Sequence, residues 1–396
     1  MVNEKYHGLG TAPSVIRELF AYGLQQAKVV GKENVFDYSL GNPSIPAPAK
    51  VNETIKKLID TTDSIQLHGY SMAPGFENVR QAIADNLNAR FNCNAKASEL
   101  FMTCGCAPAL VSVAHALTTS PEDEFIAIAP FFPEYNVFFT CAGAKLAVVP
   151  ADTVHFQIDI DALEKTINEH SVAVVINSPN NPSGVVYTEE TLKKIAELLE
   201  RKSKEYGHPI YIVADEPYRE LVYVDKEIVF IPDLYDNTII AYSWSKSLSI
   251  PGDRLGYLAV SPKSDNVEEF MATATVANRI SGDTNAPSII QLAVERCLDA
   301  QVDIPYYKKN AEDLYKIVTD AGFTAVVPQG AFYLWVKSPV ADEKELVAAA
   351  KEERILAVPG SAFACPGYIR LSFCISNETI QRSAESFAKL GKKYFG

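Results

Sequence analysis

Residues 172–218 read VAVVINSPNNPSGVVYTEETLKKIAELLERKSKEYGHPIYIVADEPY. The stretch opens and closes on short β-branched runs, VAVVIN and PIYIVAD, each the length of a strand buried on both faces. Between them the period changes. Leu192, Ile195, Ala196 and Leu199 fall on one helix face. Thr188 can cap the start, Glu189 and Glu190 suit the positive helix end, and Gly207 stops it. Strand, helix, strand predicts two parallel strands joined by a crossover helix.

The same alternation extends on both sides. EFIAIA (124–129), KLAVV (145–149), TIIAY (238–242) and GYLAVS (256–261) read as further buried strands. The expected fold class is α/β: a large domain whose mainly parallel sheet is covered by helices on both faces. The C-terminal third changes character. Residues 303–321 and 343–353 read as helices, AFYLWVK (331–337) and YIRLSFC (368–374) as strands, and a helix closes the chain. These predict a smaller α+β domain. The helical stretch 14–31 is expected to pack on it, and the Pro-rich LGNPSIPAP (40–48) is a natural connecting loop. The boundaries that follow are residues 46–286 for the large domain, and 1–45 with 287–396 for the small one.

The chain's 396 residues, 47% hydrophobic, suit two domains with large cores. A net charge of −13 repels nucleic-acid phosphates and offers nothing to anionic membranes. An anionic ligand must then be held by local Arg, Lys or backbone N–H groups. The seven cysteines show no CxxC pair, and the CxC at Cys104–Cys106 has no second ligand pair, so reduced thiols and no metal are expected. The N-terminus lacks a basic start followed by an apolar run, and no run is long enough to cross a bilayer. A soluble cytoplasmic protein is the expectation.

Four segments follow or interrupt the strands, where open parallel sheets bind ligands. SPNNPSG (178–184) could be a plain turn. ADEPYREL (214–221) could carry only a helix cap, yet Asp215 is placed to hold a ring nitrogen protonated. AYSWSKSLSIPGDRLGY (241–257) puts Lys246 among serines with Arg254 eight residues on. TCGCAPALVSVAHAL (103–117) sets a glycine before an apolar helix whose first N–H groups can bind phosphate.

In this order, SxSKxxxxxGxRxGY with the NPxG and DxxY segments resembles the class I aminotransferases of the fold-type I pyridoxal phosphate family. The resemblance runs from about Gly41 to Arg370. GNPSIPAP and DEPYREL are most similar to bacterial aspartate and broad-range enzymes. It implies pyridoxal 5′-phosphate as cofactor and Lys246 as its Schiff-base lysine, whose amine later moves a proton. It implies Asp215 at the pyridinium nitrogen, and Tyr218 and Asn181 on the ring oxygen. The N–H groups of Gly105, Cys106 and Ala107, with Ser243 and Arg254, would take the phosphate. Phe132 would stack on the ring, and Tyr70 would reach the phosphate of a partner subunit, which implies a homodimer with shared sites. Arg370 would clamp the substrate α-carboxylate near Asn181, Gly41 and Asn42. Arg279 is the candidate for the distal carboxylate of a dicarboxylic substrate.

The resemblance is imperfect at two points. Gly105-Cys106-Ala107-Pro108 lacks the usual phosphate-binding hydroxyl, and Phe132 stands where Trp or Tyr is usual. The implied reaction transfers an amino group between an L-amino acid, with aspartate or a broad-range or aromatic donor favoured, and a 2-oxo acid such as 2-oxoglutarate. A carbon–sulfur β-lyase on the same residues is the alternative, since both reactions begin by removing the Cα proton. A ligand-sensing module would need an attached DNA-binding domain, for which the acidic chain offers no basic segment. A nicotinamide dehydrogenase would need a GxGxxG after a strand, and none is present.

Overall fold

The structure, a computed structural model, describes residues 2–11, 15–91, 93–225 and 228–396. Twelve strands run in chain order: β1 (Phe36–Asp37), β2 (Leu100–Thr103), β3 (Glu124–Ile128), β4 (Lys145–Val149), β5 (Ser171–Asn177), β6 (Tyr211–Asp215), β7 (Thr238–Ser243), β8 (Gly256–Val260), β9 (Tyr333–Lys337), β10 (Ile355–Leu356), β11 (Val358–Pro359) and β12 (Tyr368–Ser372). Seven form one sheet in the order β2-β8-β7-β6-β5-β3-β4. The central pairs are parallel, and β8 runs against both neighbours. The α/β expectation and five of the predicted strands in this sheet hold to within a residue, with the PIYIVAD strand starting two residues late at Tyr211. The strand that carried no signal is β2: LFMT is four residues long, wholly buried and has no alternation to read.

Both faces of the sheet are covered, which is why its strands read as unbroken apolar runs. Ile126, Val174, Ile176, Ile212 and Ile240 face one core. Phe125, Ala173, Val175, Val213 and Ile239 alternate with them and face the other. Each buried Val or Ile contributes roughly 1.5–3 kcal/mol relative to exposure. Helix Glu189–Tyr206 covers the first face through Leu192, Ile195 and Leu199. Thr188 caps it by accepting from Thr191 N, and Gly207 ends it at φ 76°, as the sequence predicts. Helix Cys106–Leu117 covers the second face.

The small lobe holds the antiparallel sheet β11-β12-β9 and the short parallel pair β1-β10. Helix Val15–Val30 lays Leu19 against Trp335, Leu356 and Val358 of this lobe; Ser14, the expected start of that helix, lies outside the described residues. One boundary needs correction. The segment after Pro287 was expected in the small domain, but helix Ser288–Glu295 buries Ile290, Leu292, Ala293 and Val294 in the large core against helices Ala49–Thr61 and Glu77–Phe91. Small-lobe packing begins at Val302 and helix Ile304–Asp320. The change of composition near Pro287 marks a helix start, and the apolar face that follows belongs to the earlier core.

Candidate active site

The parallel register brings three strand ends into one row. Asn177 pairs with Asp215, Asp215 with Ala241, and Ser243 with Gly256. Thr103, the last residue of β2, also pairs with Gly256. That glycine is required by close approach: a Cβ there would sit 2.8 Å from the Gly105 carbonyl carbon and against Tyr242 O. Over this row lies a cavity of about 370 Å³, roofed by residues of the small lobe.

Lys246 enters from the short helix Trp244–Ser247, directly after β7. Its Nζ donates to Gly41 O at 2.7 Å and lies 5.3 Å from the Phe332 ring centre. Burial lowers the amine to about 8, helped by Arg254 and Arg370, so a neutral nucleophile is within reach of ordinary pH.

Asp215 is 4% exposed. Burial raises its carboxyl above the usual range, and two hydrogen bonds oppose that rise. Cys106 Sγ donates to Oδ1 at 3.0 Å and the Tyr135 hydroxyl donates to Oδ2. Asn177 Nδ2 holds the Asp215 main-chain oxygen at 2.8 Å.

Tyr218 meets Tyr333 across the lobes, hydroxyl to hydroxyl at 2.8 Å. Burial pushes Tyr333 up to about 12 and Tyr218 well above its ordinary value, so both stay protonated donors. Arg370, 3% exposed on β12, donates NH1 to Asn181 Oδ1 at 3.0 Å and NH2 to Ser39 O at 2.7 Å. Its guanidinium lies 4.5 Å from the Tyr333 ring centre and 4.7 Å from that of Phe363. Its Nε is buried with no partner among the described residues.

At the opposite corner, Gly105 caps helix Cys106–Leu117 at φ 107°. A Cβ at Gly105 would stand 3.1 Å from the Arg254 guanidinium, so the glycine lets that cation close over the helix start. Arg254 itself takes φ 56° and donates NH1 to Pro251 O at 2.8 Å. The free N–H groups of a helix start beside a guanidinium and the buried Ser243 could hold an anion.

The cavity therefore gathers Gly41, Cys106, Ala107, Phe132, Asn181, Asp215, Tyr218, Ser243, Lys246, Arg254 and Arg370 from the expected set; Gly105 is not in its wall but lies beside Arg254. Asn42 is not in its wall; its carbonyl accepts from Cys374 Sγ at 3.3 Å. Tyr70, 92% exposed, and Arg279, exposed near the end of helix Val267–Ile280, do not reach it within one chain. Sequence reasoning missed Asn177, Tyr135, Ser245 and Tyr333. Asn177 ends VAVVIN just as Asp215 ends PIYIVAD, so the rule that found one could have found the other.

An amine, a buried carboxylate and an anion corner around one cavity fit a phosphorylated pyridine aldehyde. The orphaned Arg370 Nε could meet a carboxylate there. These define a fold-type I pyridoxal phosphate enzyme. The family model "Aminotransferase class I and II" matches residues 33–387, and the chain belongs to that family. It is a pyridoxal-phosphate-dependent aminotransferase that exchanges an amino group between an amino acid and a 2-oxo acid.

It is 30% identical to an aspartate aminotransferase of Thermotoga maritima, over 89% of this chain and 90% of that one. It is 27% identical to aromatic-amino-acid aminotransferase 2 of Thermococcus litoralis, over 96% of each. A solved amino transferase of Eubacterium rectale superposes with a TM-score of 0.98 at 50% identity, covering 100% of both chains. All three are aminotransferases by name, and nothing in them favours a carbon–sulfur lyase. Among the described residues no helix is long and apolar enough to cross a membrane, and no cluster of three or more His, Cys, Asp or Glu could hold a metal.

Proposed function

We propose that the chain is a cytoplasmic homodimeric aminotransferase for aspartate or a broad range of donors including aromatic ones, with 2-oxoglutarate as a natural amino acceptor. The observation that carries the reading is Arg370: a buried, stacked guanidinium with an unused Nε at the cavity wall. Such a fork takes an α-carboxylate in a bidentate grip. It would orient the Cα–H toward Lys246, whose depressed amine is placed to take up and hand on the proton. Pyridoxal phosphate, when bound, would supply the electron sink for negative charge at Cα.

Asp215 would hold the ring nitrogen. Tyr218 and Asn181 would serve the ring oxygen, and Phe132 would pack on the ring. Gly105, Cys106 and Ala107 give backbone N–H groups to the phosphate, with Ser243 and Arg254 adding side chains. Gly41 and Asn42 bound the substrate side. The relatives named for aspartate and for aromatic amino acids support the donor range.

Two features support the dimer and the compartment. Ile65, Tyr70, Met72, Val276 and Ile280 are exposed apolar residues. Asn285 Nδ2 ties the loop bearing Tyr70 to the segment after Arg279 by donating to Ser71 O and Met72 O at 2.9 and 3.0 Å. A second copy on this surface would bring Tyr70 to the partner's phosphate corner and Arg279 to the distal end of its substrate. The seven cysteines are free thiols, which suits a reducing compartment.

The test mixes purified enzyme, cofactor, L-aspartate and 2-oxoglutarate, and expects glutamate and oxaloacetate. Pyruvate and ammonia from cystathionine, with no glutamate from any donor, would reject the reading. Borohydride should fix the cofactor to Lys246 in the wild type and to nothing in Lys246→Ala.

A further inference from the structure

The Asp215 carboxylate is gripped by two side chains that the functional assignment leaves unused. Cys106 is the first residue of helix Cys106–Leu117 and reaches Oδ1. Tyr135 lies on helix Glu134–Cys141 and reaches Oδ2. Tyr135 is 1% exposed, and its ring stands 6.1 Å from Phe131 and 6.0 Å from Phe139. Packed so, the hydroxyl has one direction to point. Among the described residues, neither the thiol nor the phenol bonds any acceptor other than Asp215. The thiol stands at the helix start and turns toward the acid.

A carboxylate this buried gains from taking a proton itself. Once protonated, it no longer offers an anion to a pyridinium. Two donors aimed at its oxygens favour the charged form, and they do so only if they keep their own protons. Both do: burial and the adjacent Asp215 push Cys106 and Tyr135 well above their ordinary values. A carboxylate has about four lone-pair sites. The clamp uses one on each oxygen, Asn177 Nδ2 makes a longer contact with Oδ2 at 3.5 Å, and other sites remain for the cavity.

We propose that Tyr135 and Cys106 are positioning residues that hold Asp215 ionised and oriented, and thereby set the protonation of the cofactor's ring nitrogen. The proposal rests on Asp215 facing that nitrogen. Both side chains act through Asp215.

The experiment loads the holoenzyme with cofactor labelled with nitrogen-15 in the ring and reads the ring-nitrogen chemical shift. The variants are Tyr135→Phe, Cys106→Ala, Cys106→Ser and Tyr135→Phe/Cys106→Ala, with Asp215→Asn as reference. The wild type should give a protonated signal. Tyr135→Phe, Cys106→Ala and the double variant should move toward the unprotonated value, with the double variant moving furthest. The half-reaction with an L-amino acid should slow roughly 10–100-fold in the double variant, the effect of losing hydrogen bonds to a charged group, with KM little changed. Cys106→Ser keeps a donor and should keep the wild-type shift. A double variant with the wild-type shift and rate overturns the clamp. So does one that loses thermal stability while its ring-nitrogen signal stays protonated, since that is a packing effect alone. If Asp215→Asn also leaves the signal protonated, the placement of Asp215 at the ring is what fails.

Discussion

Gly41→Ala tests the narrowest contact in the site. A Cβ at Gly41 would fall on the Tyr333 hydroxyl and 3.2 Å from Phe332 Cε2. Tyr333 cannot swing clear. It is 3% exposed, lies 4.5 Å under the Arg370 guanidinium and bonds Tyr218 at 2.8 Å. Overpacking of this kind costs about 1–3 kcal/mol. Moving the ring also breaks the Tyr218–Tyr333 hydrogen bond, about 1 kcal/mol more. The total is about 2–4 kcal/mol. At about 2.1 cal/mol/K per residue, cooperative unfolding of the whole chain would then lose about 2–5 °C in Tm. The main-chain oxygen of Gly41 holds Lys246, and Tyr218 is assigned to the ring oxygen, so displacement also reaches the chemistry. A misplacement approaching 1 Å is expected to lower kcat/KM about 100-fold. Calorimetry and steady-state kinetics measure both. The double variant Gly41→Ala/Tyr333→Phe removes the hydroxyl in the way, so its Tm should rise back toward that of Tyr333→Phe alone. Wild-type Tm and kcat/KM in Gly41→Ala, or no coupling in the double variant, would refute the argument.

Three more outcomes follow from the same geometry. Cofactor-free enzyme should capture pyridoxal phosphate faster as pH rises from 7 to 9 and level off above, because only the neutral Lys246 amine attacks and its titration lies near 8; Arg254→Gln removes a cation that disfavours the ammonium, so it should move the midpoint up, and a wild-type midpoint near that of an ordinary lysine contradicts the assignment. Arg370→Lys loses the planar fork, so KM should rise roughly 10–100-fold for every donor while the absorbance of bound cofactor stays; a loss confined to one donor would place the α-carboxylate elsewhere. Arg279→Ala should raise KM for aspartate and leave aromatic donors unchanged; equal effects on both would remove it from the distal site.

The sheet and the row of residues at its end were legible because each strand is short, apolar and followed at once by its polar residue. Asp215 and Lys246 need only that local pattern. Tyr135 and Tyr333 do not have it. Tyr135 sits one helix step beyond Phe132 in PFFPEY, where a tyrosine reads as core. Its partner lies 80 residues away. Tyr333 belongs to AFYLWVK, an apolar strand in which nothing marks one aromatic as facing a cavity. Its hydroxyl finds Tyr218 at a separation of 115 residues. The boundary near Pro287 failed for the same reason, since which core a helix joins is decided by distant partners.

Several of these long-range bonds cross between the lobes. Lys246 to Gly41, Tyr218 to Tyr333 and Asn181 to Arg370 each join the large lobe to the small lobe or the strip that packs with it. The residues assigned to hold substrate and move its proton are thus also part of what holds the lobes in register. A change at Gly41, Tyr333 or Arg370 must then appear in stability and in rate together, and neither measurement alone assigns the cause. Tyr135 and Cys106 differ. Both belong to the large lobe, and their bonds end on Asp215 of the same lobe. Deleting their donors leaves the contacts between lobes in place, so a change in rate there reports on the carboxylate.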